Sequence, residues 1–145
     1  MPDESPPPAP QRHVFVYGTL RRGGSNDITR LSPPARFVGR ASVPGRLFHL
    51  GAYPGLRLGG CEPVWGEVYA IAPALEPCLD AIEGLLPEPN GEYAKQEVDV
   101  RVAGQDLRCL VYEIAPAWVG DARRIAHGDW LRAVAEEHSF SQGEN

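Results

Sequence analysis

His13-Val14-Phe15-Val16-Tyr17-Gly18-Thr19-Leu20-Arg21-Arg22-Gly23-Gly24-Ser25-Asn26 is the stretch on which the fold turns. Its first half is β-branched and aromatic and stops abruptly at Gly-Thr, the pattern of a buried strand breaking into a loop. Gly18 has no Cβ, so a ligand can approach the backbone there, and Gly23-Gly24 adds a second point of freedom. Ser25 or Asn26 is placed to cap a short helix. Amide N–H groups in such a loop can converge on an anion or a polarised carbonyl. Taken alone, short glycine motifs more often mark only a tight strand-to-helix turn. Gly18 and Gly23 have P-loop spacing, but Gly24 stands where that motif needs lysine, and the run contains no Gly-x-Gly-x-x-Gly. A Walker-type NTPase and a dinucleotide fold are both disfavoured.

The 145 residues are 43% hydrophobic and 23% charged, which fits one domain able to bury a core without metal or disulfide support. A formal net charge of -5 and the absence of a basic stripe argue against nucleic acid and anionic membranes as partners. With no apolar run of spanning length and no signal-peptide core, a cytoplasmic location is the expectation. Cys61, Cys78 and Cys109 are odd in number and lack a Cys-x-x-Cys, so they are expected as buried reduced thiols. His13, His49, His127 and His138 are scattered without ligand spacing, and no metal site is expected.

Residues 1–11 hold Pro2, Pro6, Pro7, Pro8 and Pro10 with little to bury and read as a disordered leader. Residues 12–138 form the domain, and 139–145 a flexible polar tail. Within the domain, Asn26 to Leu31 predicts a helical turn or two. Strands are predicted over Phe37–Val43 and, after a Pro44-Gly45 turn, Gly45–Leu50; short Leu56–Leu58 and core Val64–Ile71 follow. Pro73 suits the first turn of a helix carrying Leu75, Leu79 and Ile82, closed by Gly84 as its C′ residue. A loop over Pro87–Gly91 leads to a strand over Glu92–Val102, and Ala103–Asp106 turns it into a partner over Leu107–Ile114. Asp129 reads as the N-cap of a last helix to about Glu137, with Trp130 packed inside. Strands interleaved with two or three helices indicate an α+β fold.

Glu83 is the second candidate for chemistry. In the last helical turn its carboxylate faces the negative end of the macrodipole, which costs about 0.3–1 kcal/mol. Ile82, Leu85 and Leu86 flank it with apolar surface. Both effects raise a carboxyl pKa toward the range useful to a general acid–base. A solvated glutamate at a helix end would look the same from this context.

Tyr17-Gly18-Thr19-Leu20-Arg21 resembles the signature of the γ-glutamylcyclotransferase-like family. The likeness continues through Val43–Phe48, Leu50–Gly55, Val64–Tyr69, Leu79–Gly84, Tyr93 with its strand, and Gly128-Asp129-Trp130. Each motif is weak alone, whereas their order and spacing together are specific. The resemblance implies a small, mostly antiparallel β-barrel with helices outside and a ligand cavity at one mouth. It implies an enzyme without cofactor that closes a γ-glutamyl group into 5-oxoproline and expels an amine. Glu83 matches the family's catalytic glutamate. Tyr17, Gly18, Thr19, Leu20, Arg21 and Tyr93 match positions expected to hold the substrate, a small γ-glutamyl compound.

Where relatives commonly carry arginine two residues after that tyrosine, this chain has Lys95, which cannot make a planar bidentate contact. A non-catalytic small-molecule-binding module on the same fold is the rival reading. An interaction protein acting through its proline-rich leader lacks a clear docking motif. The leaving amine and the oligomeric state are not legible in the sequence.

Overall fold

The computed structural model describes residues 12–143. The leader expected over 1–11 therefore lies outside the described residues, as do 144–145. Seven strands, β1 (Arg12–Val16), β2 (Arg36–His49), β3 (Pro54–Leu58), β4 (Glu62–Ile71), β5 (Tyr93–Val102), β6 (Gln105–Ile114) and β7 (Arg123–Arg124), form one sheet. Helices α1 (Glu76–Ile82), α2 (Pro116–Val119) and α3 (Trp130–Gly143) pack outside it, and a 3-10 turn covers Ile28–Arg30. The order is β3-β2-β4-β1-β6-β5, with β7 on β2. Only β1 and β6 run parallel; the other neighbours are antiparallel. The sheet curls into a mixed half-barrel, so the α+β expectation stands. At its open side β3 crosses β6 so closely that a Cβ on Gly55 would sit 2.8 Å from Ile114 Cβ.

Central β1 is buried on both faces, which explains its unbroken apolar run. Val14 and Val16 pack with Ile28, Tyr69, Leu75, Leu79, Tyr112 and Ile114. Phe15 and Tyr17 point the other way, into a cluster with Val43, Leu47, Val64, Val68, Val111 and Trp130. β1 ends at Val16, and there the Tyr17–Leu20 segment begins.

Several local expectations are corrected. Pro44-Gly45 makes no turn: β2 is continuous, pairing Pro44 with Pro63 and Gly45 with both Glu62 and Leu58. Asp27, not Ser25 or Asn26, caps the 3-10 turn by accepting from the Thr29 amide. Helix α1 starts at Glu76 with Pro77 in its first turn, leaving Pro73 upstream. The β5–β6 turn tightens to Ala103-Gly104, both at positive φ. Helix α3 continues past Glu137 into the expected tail, and α2 and β7 are additional elements. Only Cys109 is buried; Cys61 and Cys78 are exposed. No helix among the described residues is long and apolar enough to cross a membrane.

Helix α1 is short and held mainly by Leu75 and Leu79, each 0% exposed. Packing rather than propensity fixes so short a helix. Leu79→Ala is expected to cost about 2–5 kcal/mol in urea unfolding, the range for a truncated core leucine.

Candidate active site

A cavity of about 330 Å³ opens where β1 gives way to its loop. It is lined by residues 15–20, by Tyr53 and Pro54 at the start of β3, by Ile82, Glu83 and Gly84 at the end of α1, and by Asn90, Glu92, Tyr93 and Tyr112. Residues separated widely in sequence thus meet because β1, β3, β5 and β6 all present an end to the same opening.

The loop after β1 is fixed by its carbonyls. Gly18 O accepts from the Arg21 amide at 3.0 Å, Thr19 O from Asn26 at 2.9 Å, Leu20 O from Ile28 at 2.9 Å and Arg21 O from Gly24 at 2.8 Å. The amides of Gly18, Thr19 and Leu20, by contrast, find no backbone acceptor among the described residues. Three successive free donors in a cavity wall form a site suited to a carboxylate or a developing oxyanion. Gly18 itself is required by packing: a Cβ there would stand 2.7 Å from Pro54 Cγ. Its lack of a side chain thus admits Pro54, where the sequence reading had it admit a ligand.

Glu83 is the C-cap of α1, its amide bonded to Leu79 O at 3.0 Å. Gly84 follows at φ +79°, a conformation costly for other residues, and a Cβ there would collide with the Asn90 amide. Asn90 N donates to Gly84 O at 3.0 Å, and Asn90 Oδ1 accepts from Glu92 N at 2.9 Å. The Pro87–Gly91 loop is thereby folded back, and Glu92 arrives beside Glu83. Burial, and then the Glu92 charge, raise the Glu83 carboxyl to about 7. Among the described residues, neither a cation nor a hydrogen bond offsets either effect. The sequence pointed to burial and the helix end; the second carboxylate was not anticipated.

Three tyrosines in the lining spend their hydroxyl protons on the protein. Tyr17 donates to Tyr112 O at 2.5 Å, Tyr93 to Pro54 O at 2.7 Å, and Tyr112 to Asp80 Oδ1 at 2.7 Å. Burial is the main reason that all three titrate well above the usual tyrosine range, so they remain neutral. Their rings shape the wall.

Of the sequence-predicted residues, Tyr17, Gly18, Thr19, Leu20, Tyr93 and Glu83 line this one cavity. Arg21 does not. Its side chain, 7% exposed, turns into the protein, where Nε meets Glu67 Oε2 at 2.5 Å and Nη1 meets Asp129 Oδ1 at 2.8 Å. Glu67 faces neither cavity nor solvent, and Asp129 caps α3 through the Arg132 amide as expected. Lys95 also lies outside the lining, paired with Glu76 and Asp80 of α1 at 2.5 and 2.9 Å. Sequence reading missed Tyr53, Asn90, Glu92 and Tyr112; alternation along β6 with Leu110 and Ile114 was the available signal for Tyr112. Among the described residues, no three His, Cys, Asp or Glu side chains are placed to share a metal ion.

The chain is similar in sequence and fold to known proteins. A Vibrio cholerae relative with the provisional name gamma-glutamylcyclotransferase is 43% identical over 75 residues, covering 50% of this chain and 63% of its own length. The chain therefore spans less than two thirds of that relative. The rat gamma-glutamylaminecyclotransferase is 28% identical over 130 residues, 74% of this chain and 83% of the rat protein. The crystal structure of an AIG2-like protein from Mus musculus superposes with a TM-score of 0.68 at 28% identity, covering 84% of this chain and 89% of the mouse chain. The family described as "Gamma-glutamyl cyclotransferase, AIG2-like" matches residues 14–132, nearly all of the half-barrel with its loop and Glu83, and the chain belongs to that family.

Proposed function

We propose that the protein is an enzyme that cyclises γ-glutamyl compounds to 5-oxoproline with release of an amine. The observation that carries this reading is a carboxyl raised to about 7 in the same cavity wall as three unbonded backbone amides. An intramolecular acyl transfer asks for little more. The α-amino nitrogen attacks the γ-carbonyl carbon of its own molecule, the ring C–N bond forms, and the bond to the departing nitrogen breaks. With both reactants in one substrate, holding a near-attack conformer removes much of the barrier.

Protons and charge remain to be managed. Ionised Glu83 takes a proton from the α-ammonium, and protons leaving that nitrogen are returned to the departing amine. A carboxyl titrating near neutrality suits both directions of this relay. The amides of Gly18, Thr19 and Leu20 meet the substrate's carboxylate or the oxyanion that grows on its carbonyl. Tyr17, Tyr53, Tyr93 and Tyr112 enclose the folded substrate.

Glu83→Gln is expected to lower 5-oxoproline release by about 10²–10⁴-fold while leaving binding intact, the usual loss for a positioned acid–base. A panel of γ-glutamyl amino acids, peptides and ε-lysine conjugates reads the activity and ranks the leaving amines. Full turnover by a folded Glu83→Gln protein would sink the reading.

Glu92→Gln removes the charge that helps to raise Glu83. The ascending limb of the kcat/KM profile, near pH 7 in the wild type, should move to lower pH, stopping above 4.5 because burial is the larger cause. An unmoved limb would assign it to another group.

Stability carries the same signature with a defined sign. Folded Glu83 holds its proton up to about 7, whereas its unperturbed value is 4.5. The folded state thus binds more protons in that window, and stability falls as pH rises through it. Comparing urea midpoints from pH 4.5 to 8, Glu83→Gln should show a shallower decline than the wild type.

A further inference from the structure

The buried Arg21 side chain directly follows the Gly18–Leu20 segment of the cavity wall without lining the cavity itself. Glu67 comes from β4 and Asp129 from the start of α3, so the guanidinium refers the loop to two separate elements. Both acids are fully used. Glu67 Oε1 accepts from the Arg22 amide at 2.9 Å and the Tyr69 hydroxyl at 3.2 Å; Asp129 also meets the Arg132 amide at 3.2 Å and Arg40 at 3.5 Å. Burial opposes ionisation of Asp129, but the Arg132 amide and Arg21 outweigh it and hold the carboxyl below its usual range. Glu67 grips Arg21 and Arg22 together, by side chain and by backbone, immediately after Leu20. The loop carbonyls therefore bond within the loop while its exit is clamped to the sheet.

We infer that Arg21, Glu67 and Asp129 are positioning residues that set the direction of the Gly18, Thr19 and Leu20 amides toward the substrate. The inference deepens the proposed cyclotransferase reading and rests on it for the identity of the substrate. Buried charge clusters add little net stability over apolar packing, but their fixed fork geometry defines one arrangement of the chain. Small misplacements of a catalytic donor are costly in rate.

Arg21→Lys keeps the charge and loses the fork. In this variant the backbone resonances of Gly18, Thr19 and Leu20 should shift in the ligand-free protein, and kcat/KM for 5-oxoproline release should fall about 10-fold or more. Asp129→Asn, which keeps the shape and removes one charge, should do the same to a smaller degree and serves if Arg21→Lys does not fold. Val100→Ala, a core truncation in β5, supplies the contrast: a lowered Tm with kcat/KM and loop resonances unchanged. Unshifted loop amides, or undiminished kcat/KM in the folded Arg21 or Asp129 variant, would overturn the inference. The resonances need no turnover. Absence of 5-oxoproline release by the wild type would therefore count against the proposed reaction alone, leaving the amide shifts to decide whether Arg21 positions the loop.

Discussion

A guanidinium taken out of water must find its partners completely or not at all. Arg21 is in that position, with Glu67 and Asp129 at 2.5 and 2.8 Å. An uncompensated buried charge would be strongly destabilising, so the junction of β1 loop, β4 and α3 has a single acceptable geometry. That junction lies directly behind the cavity wall. The register of β1 on β4, pairing Val16 with Glu67, places the acid level with the strand's end, and the loop leaves from there. Sheet register and the orientation of the loop are one constraint seen at two scales.

Opposite electrostatics apply at Glu83. Here the chain folds a second carboxylate back beside the first, so ionisation is discouraged by burial and by Glu92. The device is the left-handed Gly84 with Asn90 packed where a side chain would otherwise be. Arg21, outside the cavity, and Glu83, in its wall, thus show two treatments of charge: saturation at the one and deprivation at the other. In the proposed reaction the deprived group is the one that exchanges protons.

What the sequence disclosed was local or periodic. The run from Val14 to Val16 is apolar at every position because both faces of β1 are covered, and its break at Gly18 is written in composition. Glu83 beside Gly84 is likewise a contiguous signal at a helix end. Arg21 was not legible as a buried group, since a loop arginine has the same letters whether it meets solvent or the acids at 67 and 129. Pro44-Gly45 failed for a related reason. Turn residues are compatible with a long strand where tertiary pairing on two sides outweighs local preference, and β3 and β4 flank that stretch. Glu92 escaped notice because its effect depends on how the preceding loop returns.

The donor inventory of the cavity has a consequence for how such a site can vary. The hydroxyls of Tyr17, Tyr93 and Tyr112 are committed to Tyr112 O, Pro54 O and Asp80, whereas the amides of Gly18 to Leu20 have no backbone acceptor among the described residues. Short of a proline, which removes the N–H, a substitution can only move a backbone amide. The side chains that matter to such a site are those that fix the path of the backbone, and they need not face the ligand. Divergent lining residues are then compatible with one chemistry, provided that the loop's clamp and the returned Gly84–Asn90 turn persist.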